Sequence, residues 1–242
     1  MISTEWMRRY SIAHFLAALV ALLVATPFVE ELRIGSLVQA LLMTIVLLSA
    51  VAAVGEGKRT LLTATLLVAP ALIGTWANHV APDTMPRSGI AAAIAFALFI
   101  IYHLLRFILR AQRVNSEVLC ASIAAYLMLG IAWAMAYELV WRVAPEAFRV
   151  ADLPTGKRTI DGFEALYFSF GTLAPINDND IVPVGNFARL LVMFEAIVGM
   201  LYMGMLIARL VGIYSSEEVA EIREPSDDTH AEGGEPMPAA RR

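Results

Sequence analysis

Six long apolar segments follow one another along the chain, and short charged runs separate each from the next. Their approximate ranges are 11–29, 34–54, 59–83, 87–109, 118–137 and 187–214. A helix of about 20 residues, rising about 1.5 Å per residue, crosses a hydrocarbon core of about 30 Å. The pattern therefore predicts an all-α membrane protein with six transmembrane helices.

A shorter amphipathic segment lies between the fifth and sixth spans. Residues 162–172 are too few to cross a membrane, and the polar run 174–183 joins them to the sixth span. Irregular backbone at membrane depth is tolerated only where protein buries it or where it lines water. We therefore expect a re-entrant pore helix and loop that face an aqueous cavity. One copy cannot enclose such a cavity, so several chains should surround a shared axis.

Composition excludes several functional classes. The 242 residues are 59% apolar and 17% charged, with a net charge of −4. Such a chain is neither a soluble enzyme, nor a nucleic-acid binder, nor disordered. The single cysteine, Cys120, cannot form a disulfide or a cysteine-based metal site. No phosphate loop, nucleophile elbow or zinc-ligand pair is present, so we expect no catalytic residue, no enzymatic activity and no metal centre.

Basic residues predict the orientation, because Lys and Arg concentrate in cytoplasmic loops. With both termini cytoplasmic, most basic residues near the spans fall on that side: Arg8, Arg9, Lys58, Arg59, Arg106, Arg110, Arg113 and Arg209. Arg106, Arg110 and Arg113 lie only at the end of the fourth segment, so we interpret them as interfacial anchors and not as a voltage sensor. His14, His79 and His103 share no ligand motif and are expected to form packing or hydrogen-bonding contacts.

Residues 117–214 carry a series of motifs, and together these resemble the pore domain of the tetrameric potassium-channel superfamily. The motifs are Ala165-Leu-Tyr-Phe-Ser-Phe-Gly-Thr-Leu173, Asp180-Ile-Val-Pro-Val184, Phe187-Ala-Arg189, Glu195-Ala-Ile-Val-Gly199 and Leu206-Ile-Ala-Arg-Leu-Val-Gly212. Tyr126-Leu-Met-Leu-Gly130 is similar to the outer pore helix of prokaryotic two-pore-helix members. The resemblance implies a homotetramer in the cell membrane, as a multi-pass protein of a prokaryotic inner membrane, with lipids and permeant ions as partners.

The selectivity filter departs from the family pattern. Where the family has Thr-Val-Gly-Tyr-Gly followed by Asp, this chain has Pro175, Ile176, Asn177, Asp178 and Asn179, followed by Asp180. A potassium filter uses rings of backbone carbonyls, and its glycines let the strand turn them inward. Both glycines and the threonine hydroxyl are missing here. The sequence therefore predicts a pore loop without a K⁺-selective filter.

Two acidic residues of this loop form a candidate cation site. With four-fold symmetry, Asp178 and Asp180 would surround the pore mouth and concentrate cations such as K⁺, Na⁺ or Ca²⁺. No other cofactor is expected. Alternatively, the loop is a solvated turn, and in the resembling family the residue that matches Asp180 supports the filter from behind.

The sixth segment contains the candidate inner pore. Met200, Met203, Ile207 and Val211 are expected to approach the axis, forming an apolar lining that closes by dewetting. The alternative is that these side chains face lipid or pack between helices. Gly199 and Gly204 match positions where the family's inner helix bends or packs closely. Glu195 is an ionisable group at membrane depth, so it should face protein or water, and we expect Arg189 or a neighbouring chain's loop as its partner.

These observations predict three regions: a four-helix transmembrane unit at 1–113, a pore domain at 114–214 with an extracellular cap linker at 142–159, and an acidic, disordered cytoplasmic tail at 215–242. The predicted function is passive, cation-preferring, non-selective ion permeation by a homotetramer. Two alternatives remain open, namely a non-conducting membrane scaffold or sensor with the channel fold, and a wide pore for small hydrated solutes.

Overall fold

The structure is a computed structural model that describes residues 2–29, 34–54, 58–80, 87–111, 115–150, 159–160, 162–176 and 180–223. It contains seven helices in these ranges: α1 Ile2–Val29, α2 Gly35–Val54, α3 Lys58–Val80, α4 Arg87–Arg110, α5 Ser116–Val143, α6 Gly162–Leu173 and α7 Asn186–Arg223. A single 3₁₀ turn, Pro145–Ala147, follows α5, and the two described strands are β1 Phe148–Val150 and β2 Ile181–Pro183.

Six of these helices, all except α6, are long and apolar enough to cross a membrane. This confirms the predicted six-span, all-α fold class. Two spans extend further than the apolar pattern predicts. α5 continues past Tyr137 to Val143, and α7 continues past Tyr214 to Arg223. Residues 224–242 of the predicted tail and residues 151–158 of the predicted cap lie outside the described residues.

Neighbouring helices in sequence pack against each other from α1 to α5, and α1 also contacts α5. Several residues of the core that these helices share have small side chains: Ala93 and Ala97 of α4 and Ala121, Ala124 and Ala125 of α5 are all buried. In a membrane, small residues let helix backbones approach and gain van der Waals contact, because lipid provides no hydrophobic driving force between helices.

A second core forms where α5, α6 and β1 meet. The ring of Tyr137 packs edge-on against Phe168 and Phe148, with centroid distances of 4.9 and 5.9 Å. Phe148 and Phe168 also meet edge-on, at 6.1 Å. Edge-to-face pairs place the positive ring edge against the negative ring face. This aromatic cluster joins the segment after α5 to α6.

A two-stranded antiparallel sheet was not predicted by the sequence pattern. β1 pairs with β2, with Phe148 opposite Pro183 and Val150 opposite Ile181. The backbone N–H groups of Val184 and Gly185 both donate to the carbonyl of Ala147, at 2.8 and 3.0 Å. Strands of three residues are too short to show an alternating pattern, so only the pairing reveals them. The sheet attaches the end of the filter-position loop to the segment after α5.

The chain divides into two compact units, Met1–Met203 and Gly204–Arg242. In the described residues, the second unit consists of the C-terminal part of α7. The regions 1–113, 114–214 and 215–242 remain a prediction from sequence.

The aromatic cluster gives a stability test. Phe148 is 4% exposed, so Phe148→Ala should lower the free energy of unfolding by about 3–5 kcal/mol, through lost burial and the cavity left behind. Phe28 of α1 is 71% exposed, and Phe28→Ala should change it by less than about 0.5 kcal/mol. Thermal unfolding of the purified protein in one detergent measures both. Equal losses in the two variants would contradict the packing described here.

Candidate functional site

The loop at the filter position begins where α6 ends. The N–H of Ala174 donates to the carbonyl of Phe170 at 3.0 Å, and the N–H of Ile176 donates to the carbonyl of Gly171 at 2.9 Å. Pro175, between them, has no N–H to continue the helix. α6 therefore ends at Leu173, just before Pro175, and Ile176 is exposed.

The middle of this loop, Asn177 to Asn179, lies outside the described residues. Asp178, the main candidate for the acidic mouth, therefore has no structural description. Asp180 is half-buried at the start of the segment that leads into β2. Hydrogen bonds thus hold both ends of the loop, at α6 on one side and at the β1–β2 sheet on the other.

α6 packs closely on α5 because Gly130 has no side chain. A Cβ atom at this position would lie 2.5 Å from the ring of Phe170. The short distance between the helices also lets the hydroxyl of Ser169 reach the carbonyl oxygen of Gly130, at 2.8 Å. Gly130 on α5 therefore determines how closely α6 packs against α5.

The two glycines proposed as hinges of α7 have different surroundings. A Cβ at Gly199 would lie 2.5 Å from the carbonyl oxygen of Leu173, the last residue of α6. A Cβ at Gly204 would meet nothing within 4 Å. Gly199 therefore permits close approach between α7 and the end of α6, whereas the surroundings of Gly204 are open.

Glu195 is fully buried, and its carboxyl group joins three helices. The hydroxyl of Tyr137 on α5 is hydrogen-bonded to Oε2. The hydroxyl oxygen of Ser169 on α6 lies 2.5 Å from Oε1. The expectation that Arg189 pairs with Glu195 is wrong. Arg189 is exposed, and its Nε donates to the carbonyl of Pro183 at 3.2 Å. The other expected partner, a neighbouring chain's loop, stays a prediction; within its own chain, both carboxyl oxygens of Glu195 contact hydroxyl groups.

Sequence reasoning missed both partners of Glu195. A signal was present, since Tyr137 and Ser169 are hydroxyl residues within otherwise apolar helices. Polar groups at membrane depth need hydrogen-bond partners, so hydroxyls and a carboxyl in adjacent helices are expected to find each other. The sequence could not show which of the available hydroxyl groups lie at the depth of Glu195.

Tyr202 forms a second attachment of α7 to α5. Its hydroxyl donates to the carbonyl oxygen of Ser122 at 2.6 Å, and its ring lies 5.7 Å from that of Tyr126. Glu195, Gly199 and Tyr202 are four and then three residues apart, which places them on one face of a helix. α7 is therefore held to its own chain along a single stripe.

The residues predicted to line an inner pore are not covered by their own chain. Met200, Met203, Ile207 and Val211 are each between 45% and 62% exposed. Only 11% of the α7 span is buried, against 56% of the α5 span. In a membrane-spanning helix, an apolar surface of this extent faces lipid or packs against another helix.

Other candidate groups have ordinary roles. Nδ1 of His103 lies 2.9 Å from the carbonyl oxygen of Phe99, as expected for a hydrogen-bonding histidine. Arg106 and Arg110 are exposed at the end of α4, and Arg113 is outside the described residues. Within the described ranges, no group of three or more His, Cys, Asp or Glu residues could hold a metal ion.

Residues 120–216 match the family described as ion channel. The matched region contains nearly all of α5, the β1–β2 sheet, α6, the filter-position loop and most of α7. This match and the six spans confirm a membrane protein with a potassium-channel-like pore domain, and the match supports an ion channel. No curated protein and no solved structure matches the chain.

The two glycines of α7 should respond differently to the same substitution. Gly199→Ala should reduce the free energy of unfolding by about 1–3 kcal/mol, because the new methyl group must displace the backbone of Leu173. Gly204→Ala should leave stability unchanged or raise it by up to about 1 kcal/mol, since alanine favours helix and the position is open. Thermal unfolding in detergent compares them. A larger loss in Gly204→Ala would refute the assignment.

Proposed function

We propose that this protein is a homotetrameric ion channel that passes ions passively, prefers cations and does not select K⁺ over Na⁺. The observation that carries the proposal is the division of α7 into two faces. One face is attached to α5 and α6 through Glu195, Gly199 and Tyr202. The other is apolar and uncovered, and it carries Met200 and Met203.

Four copies around an axis would cover this second face. The end of α6 lies beside α7 in one chain, because Gly199 closely approaches Leu173. Symmetry would therefore bring four copies of this helix pair together. Met200, Met203, Ile207 and Val211 would then line the inner pore. Such an apolar lining resists wetting and can close to ions without a physical plug.

The loop sequence supports weak selectivity. No glycine occurs between Leu173 and Asp180, and Pro175 occupies the position of the filter threonine. A strand of this composition does not easily turn successive carbonyls towards the axis. Ions would therefore pass at least partly hydrated. The carboxylates of Asp178 and Asp180 would attract K⁺, Na⁺ or Ca²⁺ to the mouth and repel anions.

The remaining assignments follow from the basic residues and the fold. We infer a multi-pass protein of the cell membrane, of the prokaryotic inner-membrane type, with both termini cytoplasmic. Its partners are lipids, permeant ions and three further copies of the chain, and its activity is transport without catalysis. Bending of α7 is assigned to Gly204, where the surroundings are open.

The acidic mouth is tested by neutralising one carboxylate. Asp178→Asn should lower K⁺ and Na⁺ flux from liposomes several-fold and by similar factors, because the local cation concentration falls. Glu117→Gln, at the other end of the pore domain in the first turn of α5, should leave both fluxes near the wild-type values.

The tetramer is verified first, by mass measurement of the purified protein. Strong preference for K⁺ over Na⁺ in the wild type would refute the absence of a selective filter. No flux at all from a confirmed tetramer would favour the scaffold or sensor. Efflux of uncharged solutes would favour the wide pore.

The inner lining is tested by two methionines that are two positions apart. Met203 and Met205 are both exposed, but a two-residue step points them in directions about 160° apart, so only Met203 should face the axis. Met203→Ser should increase cation flux several-fold, because a hydroxyl lowers the cost of wetting the pore. Met205→Ser should leave flux unchanged. An equal effect of both substitutions would contradict the assigned lining.

A further inference from the structure

The buried cluster around Glu195 contains three hydrogen-bond contacts, but the two hydroxyl groups in it provide only two protons. Glu195, Ser169 and Tyr137 are each 0% exposed, so bulk solvent does not reach the set. The three contacts join Tyr137 to Glu195 Oε2, Ser169 to Glu195 Oε1, and Ser169 to the carbonyl oxygen of Gly130. Each contact joins two oxygen atoms and requires one proton between them.

The number of protons depends on the state of Glu195. Tyr137 and Ser169 each provide one hydroxyl proton, and the carbonyl of Gly130 can only accept. If Glu195 is ionised, two protons must serve three contacts, and one oxygen pair is left without a hydrogen. If Glu195 carries a proton, that proton is donated to Ser169, Ser169 donates to Gly130, and Tyr137 donates to Glu195. Every contact is then satisfied.

The surroundings of Glu195 also favour a neutral group. Within the described residues, no ion pair involves its carboxyl group, and the groups that face it are Tyr137 and Tyr126 from α5 and Ser169 from α6. Tyr202, one helical stripe further along α7, is bonded to a backbone carbonyl. None of these side chains is a cation. A buried carboxylate without a paired cation is costly at membrane depth.

We propose that Glu195 is a proton-binding site whose neutral form fastens the inner helix α7 to the pore helix α6 and the outer helix α5. Release of the proton removes one of three hydrogen bonds and leaves a buried charge. The contact between these helices therefore weakens as pH rises. The proton site does not depend on whether the chain conducts, whereas control of ion flux by this site rests on the proposed function.

Infrared spectroscopy of the purified protein in lipid nanodiscs tests the proton directly. At about pH 6, exposed Asp and Glu side chains are ionised, so a carbonyl band of a protonated carboxyl group reports on a shielded one. We expect such a band in the wild type and its loss in Glu195→Gln. Glu138→Gln should keep the band, because Glu138 is paired with Arg142 at 2.7 Å and contributes none. An unchanged band in Glu195→Gln, or none in the wild type, would overturn the proposal.

A second variant keeps the test independent of how well Glu195→Gln folds. Ser169→Ala removes the acceptor for the proton of Glu195 but leaves the carboxyl in place. The carbonyl band should therefore persist and shift in position. A band that does not move would show that the proton is not donated to Ser169, and would overturn the assigned hydrogen-bond arrangement.

Thermal unfolding as a function of pH tests the effect on packing. Ionisation of Glu195 removes a hydrogen bond and buries a charge only in the folded protein, so wild-type stability should be greatest at low pH and fall as Glu195 ionises. The amide of Glu195→Gln can donate to Ser169 and accept from Tyr137 at every pH. This variant should keep the low-pH stability and lose this component of the pH dependence. A Glu195→Gln protein that unfolds at a lower temperature than wild type at low and high pH alike would refute the neutral arrangement.

Flux measurements separate the proton site at Glu195 from the proposed channel function, on which control of ion flux by this site rests. In liposomes, wild-type flux should change across the pH range of the stability change, and flux through Glu195→Gln should not. A pH response that persists in Glu195→Gln would overturn control by this site. Silent liposomes at every pH, combined with the infrared band, would overturn the proposed function and leave the proton site standing.

Discussion

Buried polar groups within a membrane must find partners inside the protein, and this constraint organises the pore domain. The carboxyl of Glu195 meets hydroxyls from two other helices, and the hydroxyl of Ser169 also reaches the backbone of α5. These contacts set the depth at which α5, α6 and α7 meet. The apolar packing around them, including the aromatic cluster of Tyr137, Phe148 and Phe168, excludes water from the same point.

Two glycines make this arrangement possible, because they have no side chain to separate the helices. Gly130 and Gly199 bring α5 and α7 close enough to α6 for hydroxyl and carboxyl groups to touch across the helices. With α6 clamped on both sides, the loop after it starts from a defined position, and the β1–β2 sheet holds its other end. Contacts within one chain therefore hold both ends of the filter-position loop. In the proposed tetramer, one face of α7 would attach to its own chain and a different face would line the pore.

Much of this architecture could be predicted, because membrane spans depend on local properties. Length and apolar composition identify the six spans, and the short segment at 162–172 is recognisable as α6 because it cannot cross the bilayer. The motifs around Gly199 and Leu206 identify the pore domain. The absence of a potassium filter stays a prediction that rests on Pro175 and the missing glycines. The sequence did not predict β1 and β2, because strands of three residues are too short to form a periodic pattern.

Contacts between distant residues required the tertiary structure. Glu195 is recognisable in sequence as a costly group that needs a partner, but Arg189, six positions away, proved to bond Pro183 instead. Its actual partners, Tyr137 and Ser169, are 58 and 26 positions away. Likewise, the sequence does not distinguish Gly199 from Gly204. Only the structure does, because the backbone of Leu173 lies beside Gly199 and nothing lies close to Gly204. The sequence by itself determined the number of spans and the pore-domain pattern, because these follow from local hydrophobicity. The packing of helices decided which polar groups meet, because that depends on relative depth and rotation, which no single segment encodes.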